Sequence, residues 1–351
     1  MKDGAPLKML FVSFANQHST AVRKINQARK SRVDLSIYDT KIDKNRTTMR
    51  SRLLSGCYFR LFAKLIFSDA NVWWLWGADA CFIGSVAGVF RPSKAIIWDI
   101  SDIHVAMLGE SLSSRILRKI ERMLIKRSNR LILSSGAFWT YHYKGWLPQK
   151  RVFVIENLLE GQPQKQHREA PEKVLNVIYS GILRSDKLLA LITDCARLCE
   201  GKVIFHLWGF FDVNVKQKVI EDIEESPYVR FHGEYPEEAL PEIFADMHVT
   251  FGLVDVDADD NERWLLSNRL YQAGAFKCPI VSTKDSNVGK ETISRRVGWV
   301  VDNDCLQLTE LLRDLSEDKN KIYSSVLRSM PDESEFYFGE EYAHFFSSLQ
   351  P

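Results

Sequence analysis

The chain of 351 residues is longer than one hydrophobic core usually serves, so its length favours two domains of roughly 150 to 180 residues each over a small binding module. Hydrophobic residues make up 45% and charged residues 26%, near the globular average, which excludes a disordered, collagen-like or coiled-coil chain. The net charge of +2 conceals a polarity: residues 1–155 hold 26 Lys and Arg against 10 Asp and Glu, a balance of +16, and the remainder holds 21 against 35, a balance of −14, so one half is expected to face an anionic partner.

Residues 7–15 are apolar but lack a charged n-region and a cleavage site, so they read as a first strand rather than a signal peptide, and a cytoplasmic location is expected. After the strand at 8–14, short apolar runs recur at 33–38, 72–76, 95–98, 130–134 and 152–155, with room for a helix between each. Residues 20–30 and 112–128 carry the helical spacing of three and four. The longest apolar run, 81–90, has three Gly or Ser positions inside it and falls well short of a membrane span. Residues 161–172, bracketed by Pro163 and Pro171, are polar and aperiodic and read as a linker.

The alternation then restarts, with strands at 174–179, 203–208, 229–231, 249–253, 279–282 and 298–301. Helices fall at 186–199, 215–225, 237–245, 265–276 and 306–315. Buried strands joined by helices imply parallel sheets, so the fold class is α/β, two doubly wound Rossmann-like domains. The expected division is 1–160 together with a terminal aromatic helix near 335–351, against 161–334; that helix is expected to pack across the junction. Ligands of such sheets bind at the carboxyl ends of strands, which puts the site of a two-domain version in the cleft the domains face. The six cysteines include no C-x-x-C pair and read as reduced core thiols, with no metal site.

The most informative stretch is Val177-Ile178-Tyr179-Ser180-Gly181-Ile182-Leu183-Arg184-Ser185-Asp186-Lys187. A strand ends in a glycine turn, and cations lie in the turn and at the start of the next helix, where backbone N–H groups and the helix dipole favour a phosphate. The order of pieces around it resembles the donor-binding domain of GT-B glycosyltransferases, closest to the family-4 group. Lys187 stands at the family's lysine position; Ile182 replaces its arginine, for which Arg184 is the substitute. Leu207-Trp208-Gly209, Val229-Arg230-Phe231-His232-Gly233, Phe244-Ala245-Asp246, Ser267-Asn268-Arg269-Leu270-Tyr271-Gln272-Ala273 and Pro279-Ile280-Val281-Ser282 follow in the family's order. In the first half Ser134-Ser135 and Val154-Ile155-Glu156-Asn157 match in turn, so the resemblance covers about residues 90 to 315.

The resemblance implies a glycosyltransferase that uses a UDP- or GDP-linked sugar and no metal or other cofactor. Arg184 and Lys187 would hold the diphosphate and stabilise its charge as it leaves. Gly181, Gly233, Glu262, Ser267, Asn268, Arg269 and Gln272 would complete the donor site. The family's Glu-x7-Glu falls on Trp264 and Gln272, with Glu262 nearby; a glutamine can bond a ribose diol but lacks the carboxylate charge, so retention of configuration, which the family implies, stands beside inversion. Asp99-Ile100-Ser101-Asp102-Ile103-His104 matches the family's cleft-rim segment, with Asp102 at its aspartate. In an inverting enzyme Asp102 would deprotonate the acceptor; in a retaining one it would position a sugar hydroxyl. Asp99 and His104 would line the rim, while helix capping is the plainer role for either aspartate. Asp255-Val256-Asp257-Ala258-Asp259-Asp260 contains two D-x-D triplets and reads here as a solvated acidic loop.

In residues 113–127 the apolar positions 116, 117, 120, 123 and 124 read as the packed face of a helix. Arg115, Arg118, Lys119, Arg122 and Lys126, with Arg127 and Arg130, form the opposite arc. With the cations of 41–64 they fit an anionic membrane surface, and no nucleic-acid motif is present. The combined expectation is a peripheral protein on the inner face of the membrane that extends a lipid-linked glycan or polysaccharide acceptor. A nucleotide-sugar 2-epimerase, which shares the architecture, and a nucleic-acid-binding protein are the alternatives.

Overall fold

The computed structural model describes residues 7–14, 18–31, 33–39, 52, 54–161, 174–317 and 321–349. Residues 15–17, the cations of 41–50 and the linker residues 162–172 lie outside them. The chain forms two compact units, Met1–Asn157 with Gly339–Pro351, and Leu158–Phe338.

The first unit is a six-stranded parallel sheet of order β2-β1-β3-β4-β5-β6: β1 (Lys8–Ser13), β2 (Asp34–Asp39), β3 (Val72–Trp76), β4 (Ala95–Ile100), β5 (Arg130–Leu133) and β6 (Val152–Val154). Its central strands are apolar on both faces because helices cover both. Helix α1 (Ser19–Lys30) lies on one face and α2 (Cys57–Ile66), α3 (Ala78–Phe90) and α4 (Leu112–Ile125) on the other, where α3 packs between its neighbours, the arrangement that the usual right-handed crossover gives for this strand order. The apolar run 81–90 is the body of α3, and its glycines have a packing reason. A Cβ on Gly84 would lie 2.1 Å from Leu75 Cδ1, and one on Gly88 would lie 2.6 Å from Ile96 Cδ1, so the helix axis comes close to the sheet. Trp73, Trp74 and Trp98 are fully buried, and Trp74 meets Phe11 edge-on at 4.8 Å. The terminal helix (Glu341–Ser347) lies against α1 in this unit, with Tyr342 and Phe346 on Trp74.

The second unit repeats the plan with order β12-β11-β10-β7-β8-β9: β7 (Leu175–Leu183), β8 (Val203–Phe211), β9 (Val229–Gly233), β10 (Val249–Gly252), β11 (Ile280–Thr283) and β12 (Gly298–Val301). Its helices are α5 (Asp186–Leu198), α6 (Gln217–Glu225), α7 (Leu240–Ala245), α8 (Asp260–Trp264), α9 (Asn268–Ala275), α10 (Asn287–Ser294), α11 (Cys305–Glu317) and α12 (Ile322–Ser329). One apolar cluster fills each face of the sheet. Among the described residues no helix is long and apolar enough to cross a membrane.

Strands β7 and β8 outrun the sequence expectation. Gly181 does not end β7 in a turn; it pairs in register with Gly209 of β8 and both strands continue two residues further. Both glycines have positive φ, +119° and +136°, and a Cβ on Gly209 would stand 1.8 Å from the Gly181 carbonyl oxygen. Glycine here permits two backbones to close up inside the sheet rather than to turn away.

Candidate functional site

In the second unit three neighbouring strands present glycines at their carboxyl edge: Gly181, Gly209 and, at the end of β9, Gly233 with φ +81°. The backbone there is bare, and aromatic side chains surround it. Trp208 stacks on His232 with ring centres 4.4 Å apart and 8° between planes, and His232 stacks in turn on His206 at 5.2 Å. His206 Nδ1 and His232 Nε2 are 3.0 Å apart, and burial pushes the His206 imidazole down to about 4, with His232 adding to the effect. The pair is therefore neutral at pH 7.

Beside the glycines, Ser180 Oγ donates to Gln272 Oε1 at 2.6 Å, and the Tyr235 hydroxyl lies close to both residues, its pKa raised by burial. Gln272 is buried at 6% exposure, and its carbonyl oxygen accepts from Ser180, which leaves its second lone pair and its NH2 group. Arg269, in the first turn of α9, lays its guanidinium 4.4 Å from the Tyr179 ring centre and donates from Nη1 to the Ser180 carbonyl at 3.3 Å. Ser267 is the N-cap residue of α9 without a side-chain cap bond, and Asn268 opens the helix. Ser267 Oγ, Arg269 Nε and Trp208 Nε1 are buried without a hydrogen-bond partner. Orphaned buried donors are costly in a finished core and are frequent where a polar ligand completes the structure.

The basic residues lie next to this edge. Ser185 caps α5 through the Leu188 N–H at 3.0 Å, Lys187 is in the first turn, and Arg184 precedes the cap. The acidic loop is not merely solvated, as its composition suggested. Asp255 accepts from Ser185 Oγ, Asp257 from Lys187 Nζ, and Glu262 Oε1 is 3.7 Å from Arg184 Nη1. Arg263 shapes the loop by donating to the Ala258 and Val256 carbonyls at 3.1 and 3.0 Å. The Asp257 bond raises the Lys187 ammonium above its ordinary value, whereas burial raises the Glu262 carboxyl despite Arg184. Carboxylates thus pair with both cations of the turn. Among the described residues no three His, Cys, Asp or Glu side chains are grouped to hold a metal ion.

In the first unit the segment after β4 divides its roles. Asp99 is not at a rim and caps no helix: it is fully buried, with Oδ1 2.5 Å from Lys24 Nζ and Oδ2 accepting from Trp74 Nε1 at 2.9 Å. Alternation along β4 turns Asp99 toward the face that α1 covers, and Asp102, past the strand end, is exposed. Between them Ser101 Oγ accepts from Trp76 Nε1 at 2.8 Å. His104 is exposed and caps a short 3-10 turn, its Nδ1 accepting from the Ala106 N–H at 3.2 Å.

Helix α4 is turned differently from its sequence reading. Its inner face is Ser114, Glu121 and Ile125, with Glu121 bonded to His142 Nε2 at 2.9 Å and the Tyr143 hydroxyl at 2.7 Å. Those partners draw the acidic residue inward and leave Leu112, Ile116, Ile120 and Met123 in solvent. Arg115, Lys119, Arg122 and Lys126 are exposed beside them. Arg118 does not belong to that arc, because it donates to the Met107 and Gly109 carbonyls at 2.8 and 2.7 Å.

Comparison with solved structures gives the fold. Anabaena Alr3699/HepE, solved with UDP and glucose, matches over 98% of this chain and 100% of its own, with a TM-score of 0.67 at 14% identity. The lipopolysaccharide outer core galactosyltransferase WaaB matches over 97% and 99%, with a TM-score of 0.64 at 12% identity. The UDP-GlcNAc 2-epimerase of Methanocaldococcus jannaschii reaches 0.62 over 98% and 99% at 9% identity. The chain has the GT-B fold. No family model matches the sequence. Succinoglycan biosynthesis protein ExoL of Rhizobium meliloti (strain 1021) is 27% identical over 224 residues, 61% of this chain and 55% of ExoL, so the chain spans about half the length of that curated relative.

Within this GT-B chain, several residues at the glycine edge have no site role in the sequence reading, although Tyr179, Trp208 and His232 lie inside its quoted stretches. Tyr235, Trp208, His232 and Tyr179 are ordinary aromatic or strand positions in isolation, and only strand pairing brings them to one edge. The available sign was their place within two residues of a glycine, in Trp208-Gly209, His232-Gly233-Glu234-Tyr235 and Tyr179-Ser180-Gly181.

Proposed function

We propose that the chain is a glycosyltransferase of surface polysaccharide biosynthesis that moves a sugar from a UDP- or GDP-linked donor to a lipid-linked or nascent polysaccharide acceptor. The observation that carries this reading is the glycine edge of β7, β8 and β9, ringed by the orphaned donors Ser267 Oγ, Arg269 Nε and Trp208 Nε1 and flanked by Arg184 and Lys187. Bare backbone admits a flat nucleotide close to the sheet, and the cations with the α5 N-terminus match a diphosphate.

In the reaction, charge accumulates on the departing diphosphate. Lys187 and Arg184 would stabilise it once released from Asp257 and Glu262, without a metal. Asp102, the exposed carboxylate of its segment, would orient a hydroxyl of the transferred sugar under retention, the outcome we favour, or take the acceptor proton under inversion. The cationic first half supports a peripheral place on the inner face of the membrane.

The test is incubation of the protein with UDP- and GDP-sugars, with and without a lipid-linked oligosaccharide. Sugar transfer that requires the acceptor is expected. Conversion of UDP-GlcNAc to its 2-epimer without acceptor would establish the second reading, which the 2-epimerase likeness keeps open, and thermal stabilisation by neither nucleotide would refute both.

A further inference from the structure

Exposed apolar residues on α4 continue onto α3, packed beside it, and onto α2 beyond. Leu112, Ile116 and Met123 are 75%, 50% and 62% exposed, Phe90 and Val89 at the end of α3 are 66% and 54%, and Phe59 on α2 is 76%. Single exposed hydrophobic residues are normal on any protein, but three adjacent helices of one layer sharing them is not. Phe90 also packs edge-on against Phe62, with ring centres 5.9 Å apart, which joins the α2 and α3 portions into one surface.

The exposed charges on these three helices are cationic, with Glu110, in the turn before α4, 3.5 Å from Arg115. Arg60 and Lys64 on α2 and Arg115, Lys119, Arg122 and Lys126 on or beside α4 are exposed. The acids of these helices are withdrawn: Asp79 is held by Arg52 at 2.6 Å and Tyr58 at 2.9 Å, and Glu121 is buried. On α4 the apolar residues 112, 116, 120 and 123 and the cations 115, 119, 122 and 126 follow helical spacings that set two stripes side by side, both away from the packed face.

We infer that the outer surface of α2, α3 and α4 inserts shallowly into an anionic lipid leaflet, its aliphatic and aromatic side chains entering the acyl boundary while the flanking cations bind headgroup phosphates. This deepens the membrane placement proposed above and rests on it; what it adds is the apolar share of the binding. Charge complementarity selects the occupant. A second copy would bring the same cations face to face, and a nucleic acid, equally anionic, has no apolar layer to receive Leu112, Ile116 and Met123.

The experiment is co-sedimentation of the full chain with phosphatidylcholine vesicles, with and without phosphatidylglycerol. Adsorption to the anionic vesicles is expected, and a fraction should survive a rise in salt from about 0.1 to 1 M, which shortens the Debye length from about 10 to about 3 Å. The Ile116→Ser/Ile120→Ser/Met123→Ser variant should lose that salt-resistant fraction and partition at least about tenfold more weakly, about 1.4 kcal/mol, at unchanged melting temperature. The Arg115→Gln/Lys119→Gln/Arg122→Gln/Lys126→Gln variant should lose the preference for phosphatidylglycerol. If the serine variant binds as the parent does, insertion is overturned while membrane placement stands. If the parent binds no vesicle, both are overturned. A parent dimer that the serine variant dissolves would overturn insertion in favour of self-association.

Discussion

Replacing Asp99 by asparagine separates a structural carboxylate from a catalytic one. Lys24 and Asp99 are 1% and 0% exposed, and the two carboxylate oxygens are divided between Lys24 Nζ and Trp74 Nε1. Asparagine keeps the volume but offers a single oxygen, so either the ammonium or the indole N–H faces an amide NH2. Removing one partner of a buried pair costs about 3 to 5 kcal/mol, because the other charge stays desolvated and unpaired. For a unit of this size each kcal/mol moves the melting temperature by about 2 to 4 °C, so a fall of about 6 to 20 °C is expected. The pH dependence adds a second criterion. Burial holds the Lys24 ammonium below its ordinary value of 10.5, and attraction to Asp99 offsets only part of that. Without the carboxylate the folded-state value falls further, the unfolded chain binds more protons over a wider range below 10.5, and stability rises with pH across it. The deficit of Asp99→Asn should therefore be smaller at pH 9 than at pH 7. Tryptophan fluorescence during thermal unfolding suits the assay, since Trp73, Trp74, Trp76, Trp98, Trp139 and Trp146 all belong to the first unit. An unchanged melting temperature, or a deficit that grows with pH, would refute the structural role. Asp102→Asn, at an exposed position, should leave the melting temperature alone and lower activity.

Lys187→Ala should reduce turnover by on the order of a hundredfold with the fold intact, and an unchanged rate would sink its contact with the leaving diphosphate. Asp257→Asn frees the Lys187 ammonium and should tighten nucleotide binding measured by calorimetry; weaker binding would show that the acidic loop helps the donor instead of competing with it. Because the folded His206 imidazole titrates near 4 rather than at its ordinary 6.5, the unfolded state takes up more protons between those values. The second unit should therefore lose up to about 3 kcal/mol as the pH falls through that window, and His206→Phe should flatten the slope.

Much of the architecture was legible because hydrophobic period is a local property. Strand runs such as 72–76 and 298–301 match the structure residue for residue, and a parallel α/β fold follows from their alternation with helices. Helix α3 was hidden because Gly84 and Gly88, which lower helix propensity, are there for the sake of the sheet beneath. The same limit governs the site. Sequence marked Gly181, Arg184 and Lys187, whose meaning is carried by neighbours in the chain. It gave Tyr235 and Trp208 no site role and did not mark the hold of Asp257 on Lys187, because strand pairing and loop closure bring those groups together across tens of residues. Asp99 and α4 show the physical reason. An aspartate near a strand end looks like a rim acid until Lys24, 75 positions away, neutralises it in the core. An apolar stripe looks like a packing face until Glu121 finds His142 and Tyr143 and turns the helix over. Sequence determines which side chains seek burial, whereas tertiary structure decides which of them find the partners that make burial favourable.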